Sequence, residues 1–156
     1  MKTIKKEDLL DAQKLFADRI AGIGIAYLED KNYRECAENM INDLYGYAEG
    51  TVLFKPTKAE DKQFRLTRSG ALSYFVGNSK EFPEDHGFAL KPWKDVRFEN
   101  YGFIFYEDHA LAMGNYYFMD MDGDETKVEY TLGYFRSESG ALKINIHHSS
   151  LPYRHQ

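Results

Sequence analysis

Apolar residues recur every three or four positions through the first 48 residues and every second position through the last third. The two periods divide the chain into a helical part and a stranded part. In the first part Leu9, Ala12, Phe16, Ile20, Ile23 and Tyr27 fall on one stripe of a helix. Asp30-Lys-Asn32 interrupts the pattern, and Cys36, Met40, Leu44 and Tyr47 mark one face of a second helix. Gly22 and Gly24 weaken the end of the first helix by about 1 kcal/mol each relative to Ala, which points to close packing there. Cys36 reads as a small core residue. Gly50 ends the helical part.

Thr51-Val-Leu-Phe54 predicts a short strand, stopped by Lys55-Pro56-Thr57. Residues 58–63 are polar and predict a loop or a short turn of helix. Residues 69–76 fit either a short helix capped by Ser69 or a strand. Residues 78–87 read as a loop. From residue 88 onward the period is two. A long strand is expected over 96–106 with a bulge or bend at Gly102, then strands over 110–119, 127–136 and 141–150. Asp122-Gly123 is the strongest hairpin signal in the chain. Helices followed by a run of antiparallel strands predict an α+β domain. The expected form is a strongly bent sheet wrapped on the helices, a cone with a hollow lined by aromatic rings.

Composition narrows the function. A chain of 156 residues is expected to be one domain, 1–156, able to bury roughly 70% of its unfolded surface. Twelve Tyr, eleven Phe and one Trp supply an unusual aromatic load. A net charge of -5 argues against nucleic acid as a partner, because phosphate binding needs a basic face. One cysteine excludes an internal disulfide and a four-cysteine zinc site. No apolar run follows the charged N-terminus and none approaches the ~20 residues of a membrane span, so a soluble cytoplasmic protein without a membrane partner is expected.

Two motifs invite a metal. Asp120-Met-Asp122-Gly-Asp124-Glu125 fails as a calcium loop, since Glu125 and Thr131 stand where that loop needs Gly and Glu. Among the histidines, His147 and His148 are adjacent on an expected strand and point to opposite faces. No metal and no cofactor is expected. The sharpest signal is the last strand, Lys143-Ile-Asn-Ile-His-His-Ser-Ser-Leu-Pro152. Ile144 and Ile146 mark the core side, and alternation sends His148 and Ser150 inward with them, about 7 Å apart at a ~3.4 Å rise per residue. Such a pair either binds a small polar molecule or forms a buried structural hydrogen bond.

That strand, the helix-helix-strand order and the segment Phe88-Ala-Leu-Lys-Pro-Trp-Lys-Asp-Val-Arg-Phe-Glu-Asn100 resemble the nuclear-transport-factor-2-like superfamily. Within it the chain is similar to the branch of the calcium/calmodulin-dependent kinase II association domains, and there to the iota-class carbonic anhydrases of the metal-free cyanobacterial and algal kind. The iota-class signature often shows three histidines before Ser-Ser and a Met before the Pro; here Ile146 and Leu151 stand in those places. The resemblance implies an enzyme interconverting carbon dioxide and bicarbonate in a pocket of hydroxyls and one histidine. Carried onto this sequence, the matching positions are Thr57, Tyr74, His148 and Ser150. Thr57, Tyr74 and Ser150 are expected to hold the substrate, with His148 relaying a proton or fixing the hydroxyls. A homodimer is the default for this fold. A purely assembling association domain, and an isomerase or hydrolase with a buried carboxylate base, are the competing expectations; Glu99 and Glu129 lie on expected strands without standing out from solvated charges.

Overall fold

The chain begins with two helices. α1 (Lys6–Leu28) starts where the Asp8 carboxylate accepts the Lys5 N–H at 2.9 Å, and buries Leu9, Phe16, Ile20 and Ile23. The computed structural model describes residues 3–155; Met1, Lys2 and Gln156, at the ends of the expected 1–156 domain, lie outside the described residues. Two positions depart from the expected stripe. Gln13 is buried beside it, and Tyr27 in the last turn is 44% exposed, its ring meeting Tyr33 edge-on at 5.2 Å. Gly24 is a close approach, since a Cβ there would sit 2.6 Å from Pro92 Cβ, whereas Gly22 has nothing within 4 Å. α2 (Tyr33–Leu44) is capped by Asn32, whose side chain accepts the Glu35 N–H at 3.1 Å. It buries Ala37, Met40, Ile41 and Leu44, with Cys36 a free thiol partly buried against the core.

The ambiguous run is a helix, α3 (Arg68–Val76), capped by Thr67 rather than Ser69. Gly70 through Val76 are all buried, so one-sided periodicity was absent and helix and strand could not be told apart. The period-two pattern expected from residue 88 opens on a 3-10 turn, Phe88–Leu90, and the strand expected from 96 begins at Trp93.

Five strands follow the order β1-β5-β4-β3-β2 in one sheet: β1 (Leu53–Lys55), β2 (Trp93–Phe105), β3 (His109–Asp120), β4 (Glu125–Arg136) and β5 (Leu142–Ser150). Four are antiparallel neighbours. The edge strand β1 runs parallel to β5, so the sheet is mixed rather than wholly antiparallel. Asp122-Gly123 turns β3 into β4 as expected. Around Gly102 the ladder shifts register between Asn100 and Gly102, leaving Tyr101 as the extra residue. α1 and α2 pack on the sheet, and the buried rings of Trp93, Tyr116, Phe118, Tyr130 and Tyr134 form one core cluster with Phe16, Ile20 and Met40. The architecture is the expected α+β arrangement.

Candidate active site

A single irregularity in β5 decides which side chains enter the core. β5 pairs with β4 through Ile144 opposite Tyr134 and Ile146 opposite Gly133, so Asn145 is one residue too many for its partner. Gly133 fits there because a Cβ would lie 3.0 Å from both Asn145 Oδ1 and Ile146 Cβ. Alternation restarts after the bulge. Ile144 is inside, Ile146 is only half-buried, and His147 and Ser149 are inside at 2% and 1% exposure. This corrects the expectation for His148 and Ser150. His148 is exposed, and Ser150 is half-buried with its hydroxyl 3.4 Å from Glu129 Oε1. Both line a shallow cavity that Tyr101, Met113 and Glu129 share. The signal that could have found the shift was Gly133 inside an alternating run, the same cue that was read at Gly102.

Inside, hydroxyls and one imidazole form a chain. Thr57 Oγ1 lies 2.7 Å from Ser149 Oγ. Ser149 Oγ lies 2.5 Å from the Tyr116 hydroxyl, which is 3.0 Å from His147 Nε2. His147 Nδ1 lies 2.8 Å from the Tyr45 hydroxyl. The elements place each member. The parallel pairing of β1 with β5 sets Phe54 opposite His147, with the rings stacked at 4.9 Å, and Thr57 follows two residues after the end of β1. Tyr45 ends α2 and is bridged to Ile144. Tyr116 faces inward from the middle of β3.

Tyr74, on α3, closes the other side. Its hydroxyl accepts the Lys58 N–H at 3.2 Å. Thr57, Tyr74, His147 and Ser149, with Phe16, Phe54, Phe88, Tyr116 and Phe118, wall a niche of about 10 Å³, room for about one water. Tyr74 and Phe88, stacked at 5.4 Å, also line a cavity of about 350 Å³ that continues outward. Those two rings therefore stand between the niche and the outer cavity. The structure brings Thr57 and Tyr74 of the expected set to the niche. It adds Tyr116, His147 and Ser149 to the niche and Tyr45 behind His147, all of which had been passed over.

Burial sets the protonation of the site. It pushes His147 down to about 3, with neighbouring His148 adding to the shift, so the imidazole is neutral at physiological pH. Burial likewise raises the phenols of Tyr45, Tyr74 and Tyr116, which stay protonated. The niche is a set of neutral donors and acceptors in a dry wall, where each hydrogen bond counts for more than in water.

A buried ion pair holds the two sides of the niche together. Arg65, 1% exposed, donates to both oxygens of Asp85 at 2.6 and 2.8 Å, to Gly70 O at 2.9 Å and to Lys62 O at 2.9 Å. Ser73 donates to Asp85 at 2.5 Å, and Glu84 accepts the backbone N–H groups of Glu60 and Lys62. The segment after Thr57 and the helix carrying Tyr74 are thus tied to one guanidinium.

Glu99 is not a buried base. It is exposed, and hydrogen bonds from Asn115 and Tyr117 hold its carboxyl below the usual range. Among the described residues no group of three or more His, Cys, Asp or Glu is placed to hold a metal ion.

A family model described as "Metal-independent carbonic anhydrase" matches residues 7–151. A curated protein of that name from Nostoc sp. is 41% identical over 155 residues, covering 97% of this chain and 76% of its own length. Among solved structures, an iota-carbonic anhydrase from a cyanobacterium complexed with bicarbonate superposes with a TM-score of 0.96 at 41% identity, covering 98% of this chain and 95% of that one. More distant likenesses show the fold alone. A putative calcium/calmodulin-dependent protein kinase II association domain from Xanthomonas campestris gives a TM-score of 0.56 at 20% identity over 88% and 83% of the two chains. A putative dehydratase of the NTF2-like family from Streptomyces avermitilis gives 0.58 at 14% over 95% and 96%.

Proposed function

The chain belongs to the metal-independent carbonic anhydrase family, and from that premise we propose that it interconverts carbon dioxide and bicarbonate in the niche of Thr57, Tyr74, His147 and Ser149. The observation that carries this is the hydroxyl-imidazole chain ending in a dry, aromatic-walled niche. His147 and Ser149 take the parts expected of His148 and Ser150.

Thr57, Ser149 and Tyr74 hold and orient the oxygens of water and bicarbonate. The water oxygen attacks the carbon of carbon dioxide, one O–H bond breaks and the proton passes to solvent. A zinc site lowers the pKa of its water from 15.7 to about 7, worth roughly 12 kcal/mol at 1.36 kcal/mol per unit. Neutral hydroxyls generate no free hydroxide. Positioning supplies ~7–11 kcal/mol in favourable cases, and Tyr74 donates to the charge that grows on a carbon dioxide oxygen. His147, pushed down to about 3 by burial, is not a store for the proton at neutral pH; it fixes the hydroxyls. Bicarbonate is larger than one water, so it enters as the Tyr74 and Phe88 rings part toward the outer cavity.

The test is carbon dioxide hydration by stopped flow after exhaustive chelation, on wild type and Thr57→Ala. Activity kept through chelation and strongly lowered, though still measurable, in the variant is expected. Activity lost on chelation and restored by zinc would overturn the hydroxyl mechanism.

Two finer points belong to the same proposal. A homodimer is supported by exposed apolar side chains on one stretch of sheet and tail, Tyr101, Ile104, Met113, Leu151 and Tyr153; sedimentation at micromolar concentration decides it. A cytoplasmic location is the other; cell fractionation decides that. Among the described residues no helix is long and apolar enough to cross a membrane.

A further inference from the structure

Tyr45 takes no part in the chemistry above and does not touch the niche. Its hydroxyl, on a residue 1% exposed, has one partner among the described residues, His147 Nδ1 at 2.8 Å. A phenol has one proton to give, and a neutral imidazole has one N–H and one bare nitrogen. The geometry therefore admits two proton arrangements. In the first, Tyr45 donates to Nδ1, the Nε2–H donates to Tyr116, Tyr116 donates to Ser149 and Ser149 donates to Thr57. The Thr57 proton is then left for the niche. In the second every bond is reversed, and the Tyr45 proton is left in the core with no acceptor among the described residues.

An unpaired buried donor is unfavourable. The first arrangement moves the surplus proton to the one place where a substrate oxygen can receive it. Tyr74 adds a second donor there, because its oxygen already accepts the Lys58 N–H. Aligned bonds also strengthen one another along a chain, so the donor at Thr57 is stronger for being at the end of four.

We propose that Tyr45 is a positioning residue that fixes His147 as the Nε2–H tautomer and thereby polarises the Tyr116–Ser149–Thr57 chain to offer a hydrogen-bond donor to bicarbonate. The role rests on the niche being the bicarbonate site. Its first test does not. In nitrogen-15 NMR of the full wild-type chain, with the His147 signal assigned by its loss in His147→Gln, the proton resides on Nε2 and Nδ1 has the shift of a hydrogen-bonded acceptor. A proton on Nδ1 overturns the proposal, whatever the activity of the niche.

The second test is a double-mutant cycle on carbon dioxide hydration. Tyr45→Phe lowers kcat by about fivefold, the scale of one net hydrogen bond, and changes KM less. In a Thr57→Val background the same substitution costs less than about twofold, because the chain no longer ends in a donor. Equal losses in both backgrounds are what a merely structural Tyr45 gives, and they overturn the proposal. If Tyr45→Phe does not fold, the tautomer of the wild-type protein decides alone.

Discussion

His147 and Ser149 sit one residue from His148 and Ser150 on the same strand, with the same chemistry and opposite surroundings. The inner pair is sealed among rings and bonded to three tyrosine and threonine hydroxyls. The outer pair faces a shallow cavity beside Glu129. Residue type thus says little about what a histidine or serine does here; the side of the sheet says nearly everything. Burial above all turns one imidazole into a fixed neutral relay of hydrogen bonds, while its neighbour stays in the solvent.

The largest test of that contrast is acid stability. A histidine held near 3 in the fold and 6.5 when unfolded binds a proton in the unfolded chain first. Stability is therefore unaffected by this group above pH 6.5, falls by about 1.4 kcal/mol for each unit below it, and has lost about 5 kcal/mol by pH 3. Urea titrations from pH 7 to 4 should show this slope in wild type and in His148→Gln, and its loss in His147→Gln. The same slope in all three would break the contrast.

Next in size is the serine pair. Ser149→Ala should lower kcat/KM for carbon dioxide by about a hundredfold, because it breaks the chain that presents the Thr57 donor, while Ser150→Ala stays within about twofold. A reversal of the two would return the site to the outer face. The niche also contains no group that titrates near neutrality, given where burial holds His147 and the phenols. kcat/KM for carbon dioxide is therefore expected to be flat from pH 6.5 to 9, which initial-rate stopped flow can check. The smallest expected effect is on the outer side, where His148→Ala should change stability by no more than about 0.5 kcal/mol in the same urea titration.

Much of the fold was legible because its signals are local. Period 3.6 along α1 and α2, period two along β2 to β5, and Asp122-Gly123 between strands each report on a few neighbouring residues. α3 was not legible, because a helix buried on every side has no polar face to show its period. The parallel placement of β1 was not legible either, since it depends on a partner some 90 residues away. At the proposed site, Thr57 and Tyr74 were expected through resemblance. His147 and Ser149 were missed by one position, because Ile146 was counted as core when the bulge at Asn145 had already turned it aside. Tyr45 and Tyr116 carry no motif; only packing shows that their hydroxyls meet one imidazole.

The bulge has a consequence for robustness. β5 ends in a doubled pattern, His-His-Ser-Ser, so a one-step slip confined to the residues past the bulge exchanges one His-x-Ser couple for its twin. The strand end is degenerate with respect to its own alignment: it carries a spare copy, and errors of one step there would alter geometry without altering the functional groups supplied.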